Sequence, residues 1–427
     1  MIRTLPLAAV LLASTSASSF ALDLKIWVPA MYSPASGLAA GAAHYQELYD
    51  AFEAANPEIN IVFEPLDSSA VGLQQILTAA SAGNLPDAAI VDGQWVGRLV
   101  ESDVLVGLNE FWPADDQADI QSAAMASQTV DGEAYAVMFQ TGMRGLVYRP
   151  SVLAEAGIDA FPSTWDELVE VASILRESSN APVMLPGKAV NEPSMIYMLS
   201  MLWGLGGEVV DEEGRPVFFE PGNAEKLEQV ITMWKQLVDA GVMPSEVSVL
   251  DEAGIRPYFY SRDAAIVGQS SSSVRQIWAE APDTVEDLAV APLPLVADLD
   301  AVTVVGGFSY AMMATDPALQ DAAWRFISFM TAAENLGKTN EILGQLPMRN
   351  SIWETNEFFA NDPLMADFKA LYDMPSRVRP SVPIYQTISS ALTTELSSVL
   401  TGQITPAEAI ARARDTVMVE YDRQDQR

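Results

Sequence analysis

Leu24, Ile26 and Val28, separated by Lys25 and Trp27, repeat with the period of a half-buried strand. A loop is expected from Pro29 to Ala43, where two glycines and several small residues break any period. Tyr45, Leu48, Ala51 and Phe52 then fall at helical spacing, which predicts a helix over 44–55 that stops at Asn56-Pro57. Ile59, Ile61 and Phe63 give a second strand. Residues 71–82 read as a second helix closed by Gly83. Ala88 to Val91 is a short apolar run of the kind that forms a fully buried strand, and it ends in Asp92-Gly93-Gln94-Trp95. Strand, helix, strand, helix, strand predicts an α/β sheet covered by helices on both faces.

The third strand has an echo. Asp263-Ala-Ala-Ile-Val267 is identical to Asp87 through Val91, and Gly268-Gln269 follows it. Two similar lobes, each offering the carboxyl end of a strand to one cleft, would explain the repeat, because open α/β sheets bind ligands at that end. Between the copies, Val130 to Glu133 reads as a turn, with strands over 134–139 and 145–148. Thr164 with Glu167 three residues on forms a capping box before Trp165, Leu168, Ala172 and Leu175.

Composition narrows the chemistry. The chain has 427 residues, enough for two or three domains, and 57 acids against 23 bases give a net charge of −34. Nucleic acid and anionic membranes are therefore poor partners. Arg3, the apolar run from Leu5 to Ala13 and Ser19-Phe20-Ala21 read as a secretory signal cleaved after Ala21. No cysteine exists, so disulfides and a lipid-modified cysteine are excluded. His44 is the only histidine, which excludes a His-based metal cluster or catalytic triad. No Gly-rich phosphate fingerprint follows any predicted strand, and no nucleophile elbow is present. No metal or cofactor is expected.

An ordered set of segments carries a resemblance. It includes Phe52 to Pro57, Ala79 to Asp87, Asp131-Gly132 with Tyr135, and Leu146-Val147-Tyr148. Ala156-Gly157, Pro162 to Leu168, Gly206-Gly207 and Phe259 to Val267 continue it, followed by Pro292 to Pro294, Gly306-Gly307 and the stretch 322–331. In this order they resemble the extracellular solute-binding proteins of ABC sugar importers, the group that contains maltose-binding protein. The resemblance implies a periplasmic-binding-protein type II fold, with two α/β lobes of mixed central sheets joined by a hinge. The first lobe would take 22–140 with 308–348, the second 141–306 with 349–427. It also implies a periplasmic monomer that closes on a small solute and delivers it to permease transmembrane subunits, with no chemistry done on the solute.

The resemblance places candidate solute contacts at Tyr32, Ser33 and His44, at Gln94 and Trp95, and at Gln140 in the first crossing between lobes. Arg144 closes that crossing, 140–144, where relatives often carry an acid and this chain has Gln140 and Arg144 instead. Glu192 stands in a Glu-Pro pair whose usual aromatic neighbour is replaced by Ser194. Ser270 and Ser271 stand where a stacking tryptophan is usual. Gly306, Gly307 and Phe308 fall on a hinge-side strand, and Tyr385 in a loop with Arg377 and Arg379. Asp67, Ser68 and Ser69 read better as a helix cap, and Trp203 as core. Amides, hydroxyls and aromatic faces suit a neutral mono- or disaccharide. Arg144 and the serine run keep an anionic sugar derivative or polyol phosphate as the alternative. A secreted glycoside hydrolase and a chemosensory receptor are the remaining readings.

Overall fold

The computed structural model describes residues 22–295 and 299–425; the signal segment lies outside the described residues. The chain opens with three parallel strands, β1 (Leu22–Val28), β2 (Ile59–Pro65) and β3 (Ala88–Asp92). A hairpin of β4 (Thr129–Val130) and β5 (Glu133–Ala134) turns on Asp131 and Gly132, both at positive φ, and leads into β6 (Ala136–Met138). The chain then passes through β7 (Gln140–Thr141) into β8 (Arg144–Tyr148), β9 (Val183–Met184), β10 (Ile266–Ser270) and β11 (Ala289–Ala291). It returns through β12 (Thr303–Val305) to β13 (Phe308–Met312), and adds β14 (Leu346–Pro347) and β15 (Ser376–Val378).

Two mixed sheets result. One has the order β2-β1-β3-β13-β6, the other β11-β8-β10-β9. Short crossing pairs join them: β7 runs antiparallel to β14, and β12 parallel to β15. The two copies of the repeated pentapeptide lie in different sheets, as β3 and the entry to β10. Each sheet carries its own helices, which makes this a two-lobed type II binding-protein architecture.

Strand β3 shows why the first sheet needs cover on both faces. Ala88 and Ile90 pack into the main core, while Ala89 and Val91 pack into a second apolar cluster with Ile76, Val96 and Leu99. Alternate residues of one strand point to opposite faces. All four are inaccessible to solvent, and burying side chains such as Ile90 and Val91 stabilises by roughly 1.5–3 kcal/mol each.

The first long helix begins at Ala39, five residues before the start expected from periodicity. The glycines misled that reading. Gly41 lies inside this helix, where a Cβ would meet Leu343 Cδ2 at 3.1 Å, a tight fit that the leucine would have to relieve by shifting. Ser69 caps the helix Ala70–Ala82, and Thr164 with Glu167 forms the expected capping box. Among the described residues no helix is long and apolar enough to cross a membrane.

Candidate functional site

The seam between the lobes is built around the carboxyl end of β3. Asp92 ends the strand, and its Oδ1 accepts a hydrogen bond from Gln94 N (2.9 Å), which turns the chain into a short 3-10 helix, Gly93–Trp95. From the other lobe comes the segment after β15. Gln94 Nε2 donates to Pro380 O (3.1 Å), and Ser381 donates back to Gln94 O. Val382 beyond it lies against Gly214.

Arg379 lies in this seam between two carboxylates. Its Nη2 stands 3.3 Å from Asp92 Oδ1 in one lobe, and its Nη1 donates to Glu192 Oε1 (3.1 Å) in the other. Glu192 is the first residue of the helix Glu192–Gly204, where the helix dipole favours an anion. It also accepts from Tyr385 Oη (2.6 Å) and Ser389 Oγ (2.6 Å). Burial alone would lower the pKa of Arg379, but Asp92 and Glu192 outweigh it and hold the guanidinium above its ordinary range. Tyr385, read from sequence as a loop residue, opens the helix Tyr385–Leu400 and is fully buried. Burial, with the Glu192 charge beside it, pushes its phenol pKa well up.

A cavity lies on each side of the Gln94–Ser381 contact. One, of about 570 Å³, is lined by Gln94, Trp203, Glu208, Gly306, Arg377 and Arg379 among others. Here Trp203, read as a core residue, carries the Arg377 guanidinium 4.5 Å from its ring centroid, and Arg377 is bidentate to Glu208 at 2.7 and 3.0 Å. The other, of about 650 Å³, is lined by Trp95, Gln74, Gln94, Gln386, Gln424 and Arg98 among others. Trp95 does two things at once: it belongs to the second apolar cluster and it walls this cavity.

The other candidates are placed as follows. Tyr32 is buried, and its Oη accepts from Gln140 Nε2 (2.9 Å) and Gln345 Nε2 (3.1 Å). Ser33 is engaged in a local turn, donating to Ala30 O and accepting from Ala35 N. His44 is neither at a helix start nor on the surface. It is 9% exposed, and its Nε2 lies 2.9 Å from Thr339 Oγ1. Thr339 spends its own proton on Asn335 O, so His44 Nε2 is the donor. Arg144 is an ion-pair residue: its Nε donates to Glu252 Oε1 at 2.8 Å.

The serine run is largely a helix start. Gly268 and Gln269 stay in β10 instead of forming a turn, and Ser270 caps the helix Ser271–Glu280. Ser270 and Ser273 both donate to Glu252 Oε2, at 3.2 and 3.3 Å. Gly306 O accepts from Thr141 Oγ1 (2.9 Å), Gly307 O from Gly93 N (2.8 Å) and Phe308 O from Phe139 N (3.1 Å). The Phe308 ring lies 5.2 Å from that of Tyr32. These three therefore knit the crossing to the end of β3. Asp92, Gln345 and Ser389 were not singled out by sequence; the one available signal was an acid at the end of a buried strand.

The arrangement is a two-lobed clamp whose seam presents amides, hydroxyls and indole rings. The model of the bacterial extracellular solute-binding proteins matches residues 35–336, more than half of the chain. A maltotriose-binding protein of Pyrococcus abyssi is 24% identical over 335 residues, which cover 76% of this chain and 67% of that one. A Brucella abortus protein classed as a binding protein is 23% identical over 367 residues, covering 85% and 86%. Among solved structures, the sugar-binding protein MalE from Xanthomonas citri superposes with a TM-score of 0.79 at 21% identity, covering 94% of this chain and 98% of that one. Maltose-bound MalE3 of T. maritima gives 0.76 at 22% identity, covering 93% and 99%. The chain belongs to the family of bacterial extracellular solute-binding proteins.

Proposed function

We propose that this protein is the periplasmic capture subunit of an ABC importer, closing its lobes on a neutral mono- or disaccharide and handing it to a membrane permease. The lobes would comprise 22–140 with 308–348, and 141–306 with 349–427. The observation that carries the choice of solute is the state of the arginines. Arg379 is paired with Asp92 and Glu192, Arg377 with Glu208, Arg98 with Glu101 and Arg144 with Glu252. An anionic solute would have to displace a carboxylate from one of them, whereas a sugar needs only amides, hydroxyls and an aromatic wall. The relatives named for maltotriose and maltose support a sugar in general.

A glycoside hydrolase needs two carboxylates flanking the scissile bond. Asp92 and Glu192 are bound to a single guanidinium, and of the acids lining the cavity of about 570 Å³ Glu208 is bound to Arg377 and Asp211 to Arg215. Binding without chemistry is the better reading.

A thermal-shift panel of glucose, maltose, trehalose and glucose 6-phosphate tests the proposal. A neutral sugar at 100 times its Kd should stabilise by about 2.7 kcal/mol through mass action. Stabilisation by glucose 6-phosphate alone would reverse the choice of a neutral solute. Turnover of a glycoside would end the transport reading.

A further inference from the structure

A groove crosses the helix Pro317–Thr331, which packs over β1 and β13, and it shares no lining residue with the two cavities of the seam. One part, of about 610 Å³, is lined by Phe111, Asp116, Trp324, Ser328, Ala332 and Arg349 among others. The other, of about 420 Å³, is lined by Phe52, Asn56, Trp324, Ser328, Phe329 and Ala332 among others. Trp324, Ser328 and Ala332 line both parts. They stand at intervals of four residues, so one face of the helix and its end forms the floor of the whole groove.

Two polar groups on that floor are idle. Of the nine tryptophans, Trp27, Trp112 and Trp234 donate their indole N–H to Glu64, Asp116 and Met201. The indole nitrogens of Trp165, Trp203, Trp278 and Trp353 are enclosed by protein. Only Trp95 and Trp324 keep an N–H that is open and has no partner among the described residues. Trp95 walls a cavity of the seam, and Trp324 walls both parts of this groove. Ser328 is the second idle group. Thr331 in the same helix donates back one turn to Ile327 O at 2.8 Å, a common use of a helical hydroxyl. The exposed Ser328 hydroxyl makes no such bond.

The charged neighbours decide which ligand fits. Arg349 is held by Asp116 at 2.6 and 2.9 Å, and Arg325 by Asn56 at 2.7 Å and Glu58 at 2.8 Å. An anion would find no free guanidinium here, in a chain whose net charge is −34. A cation cannot use an indole N–H, which only donates. A neutral hydroxyl accepts from Trp324 and can give to or accept from Ser328. Asp116, with its side chain 40% exposed, can accept from another hydroxyl. The half-buried indole, with the Phe111 and Trp112 rings each 6.3 Å from its centre, offers an apolar face to the C–H side of a sugar ring.

We propose that this groove is a second carbohydrate site. It stacks one ring of a neutral saccharide on Trp324 and bonds the ring's hydroxyls to Trp324 Nε1, Ser328 Oγ and Asp116. The site stands apart from the seam and from the capture function proposed above.

Proton–nitrogen correlation spectra of the indole groups in the full chain, titrated with glucose, maltose and trehalose, test it. Trp324→Phe and Trp95→Phe identify the two signals. The Trp324 signal should move and saturate with a roughly millimolar Kd. Ser328→Ala should weaken that response by roughly 3- to 10-fold and leave the response of Trp95 as it was. Glucose 6-phosphate and glucosamine, of opposite charge, should each bind the groove more weakly than glucose. A Trp324 signal that stays still in all three sugars overturns the site. So does one that saturates together with Trp95 and ignores Ser328→Ala, because it would report lobe closure only. Tighter binding of either charged sugar overturns the neutral class. A Trp324 response without lobe closure in small-angle scattering would support this site and count against the capture function.

Discussion

Asp92 and Ser270 hold equivalent places, each ending a strand and capping the helix that follows. Asp92 accepts from Gln94 N, and Ser270 accepts from Ser273 N. Neither reads as a cap in the sequence, where Asp92 stands as the end of a buried strand and Ser270 as a solute contact. Their second partners are no more legible. Asp92 reaches Arg379 from 287 positions away and Ser270 reaches Glu252 from 18. Local pattern reports which residues begin a helix, but nothing local reports which charge will arrive from elsewhere in the chain. The same holds for Gln345, 313 positions from the tyrosine it bonds. His44 gives a test at this scale. Burial, aided by Lys338 and opposed by Glu47, lowers its pKa below the ordinary 6.5. The unfolded chain then takes up a proton near pH 6.5 that the folded chain refuses. Stability from this group is complete above the unfolded pKa and is lost as pH falls toward the folded one. His44→Gln should flatten the decline of the urea midpoint between about pH 7 and pH 5 relative to wild type. Parallel curves for the two proteins would show that His44 does not carry this dependence.

At the scale of elements, the alternating strands, the capping box and the two copies of the repeat were legible, because each depends on residues within a few positions of one another. The crossings between lobes were legible only as sequence order. Gly306 and Gly307, expected on a hinge-side strand, lie in the link between β12 and β13, where the backbone approaches the protein's own chain closely. A Cβ on Gly307 would stand 1.8 Å from Gln140 O, so the crossing strands touch through it. Gly307→Ala forces backbone to move and should cost at least roughly 1–3 kcal/mol in chemical denaturation. Gly37 provides the control, since a Cβ there meets nothing within 4 Å. Gly37→Ala should stay within about 0.5 kcal/mol of wild type. Equal effects of the two substitutions would remove the crossing as the reason for a glycine at 307.

For the whole molecule, the network at Arg379 raises a question about motion. Capture requires the lobes to part and close by a hinge, yet Arg379 already joins Asp92 of one lobe to Glu192 of the other. Its side chain is 12% exposed, and the two carboxylates are 19% and 25% exposed. The asymmetry of the contacts decides which side lets go. Glu192 is tied to its own lobe by Tyr385 and Ser389 and keeps Arg379 with it at 3.1 Å. Asp92 holds the guanidinium by longer contacts of 3.3 and 3.4 Å. Opening should therefore break the Asp92 side and carry Arg379 away on the second lobe, still neutralised by Glu192. Asp92→Asn retains a side-chain oxygen to cap Gln94 N but removes the charge across the seam. If the pair favours closure by about 1–3 kcal/mol, its loss shifts the open-to-closed ratio by roughly 5- to 150-fold. Small-angle scattering of the sugar-free variant should then give a larger radius of gyration than wild type. Sugar association should also be faster, because less of the population must open first. Arg379→Met serves as the contrast. It leaves Asp92 and Glu192 as two partly buried acids with no counter-charge, and should cost about 3–5 kcal/mol of stability. A radius unchanged in Asp92→Asn, together with an unchanged association rate, would show that the lobes close without help from this ion pair.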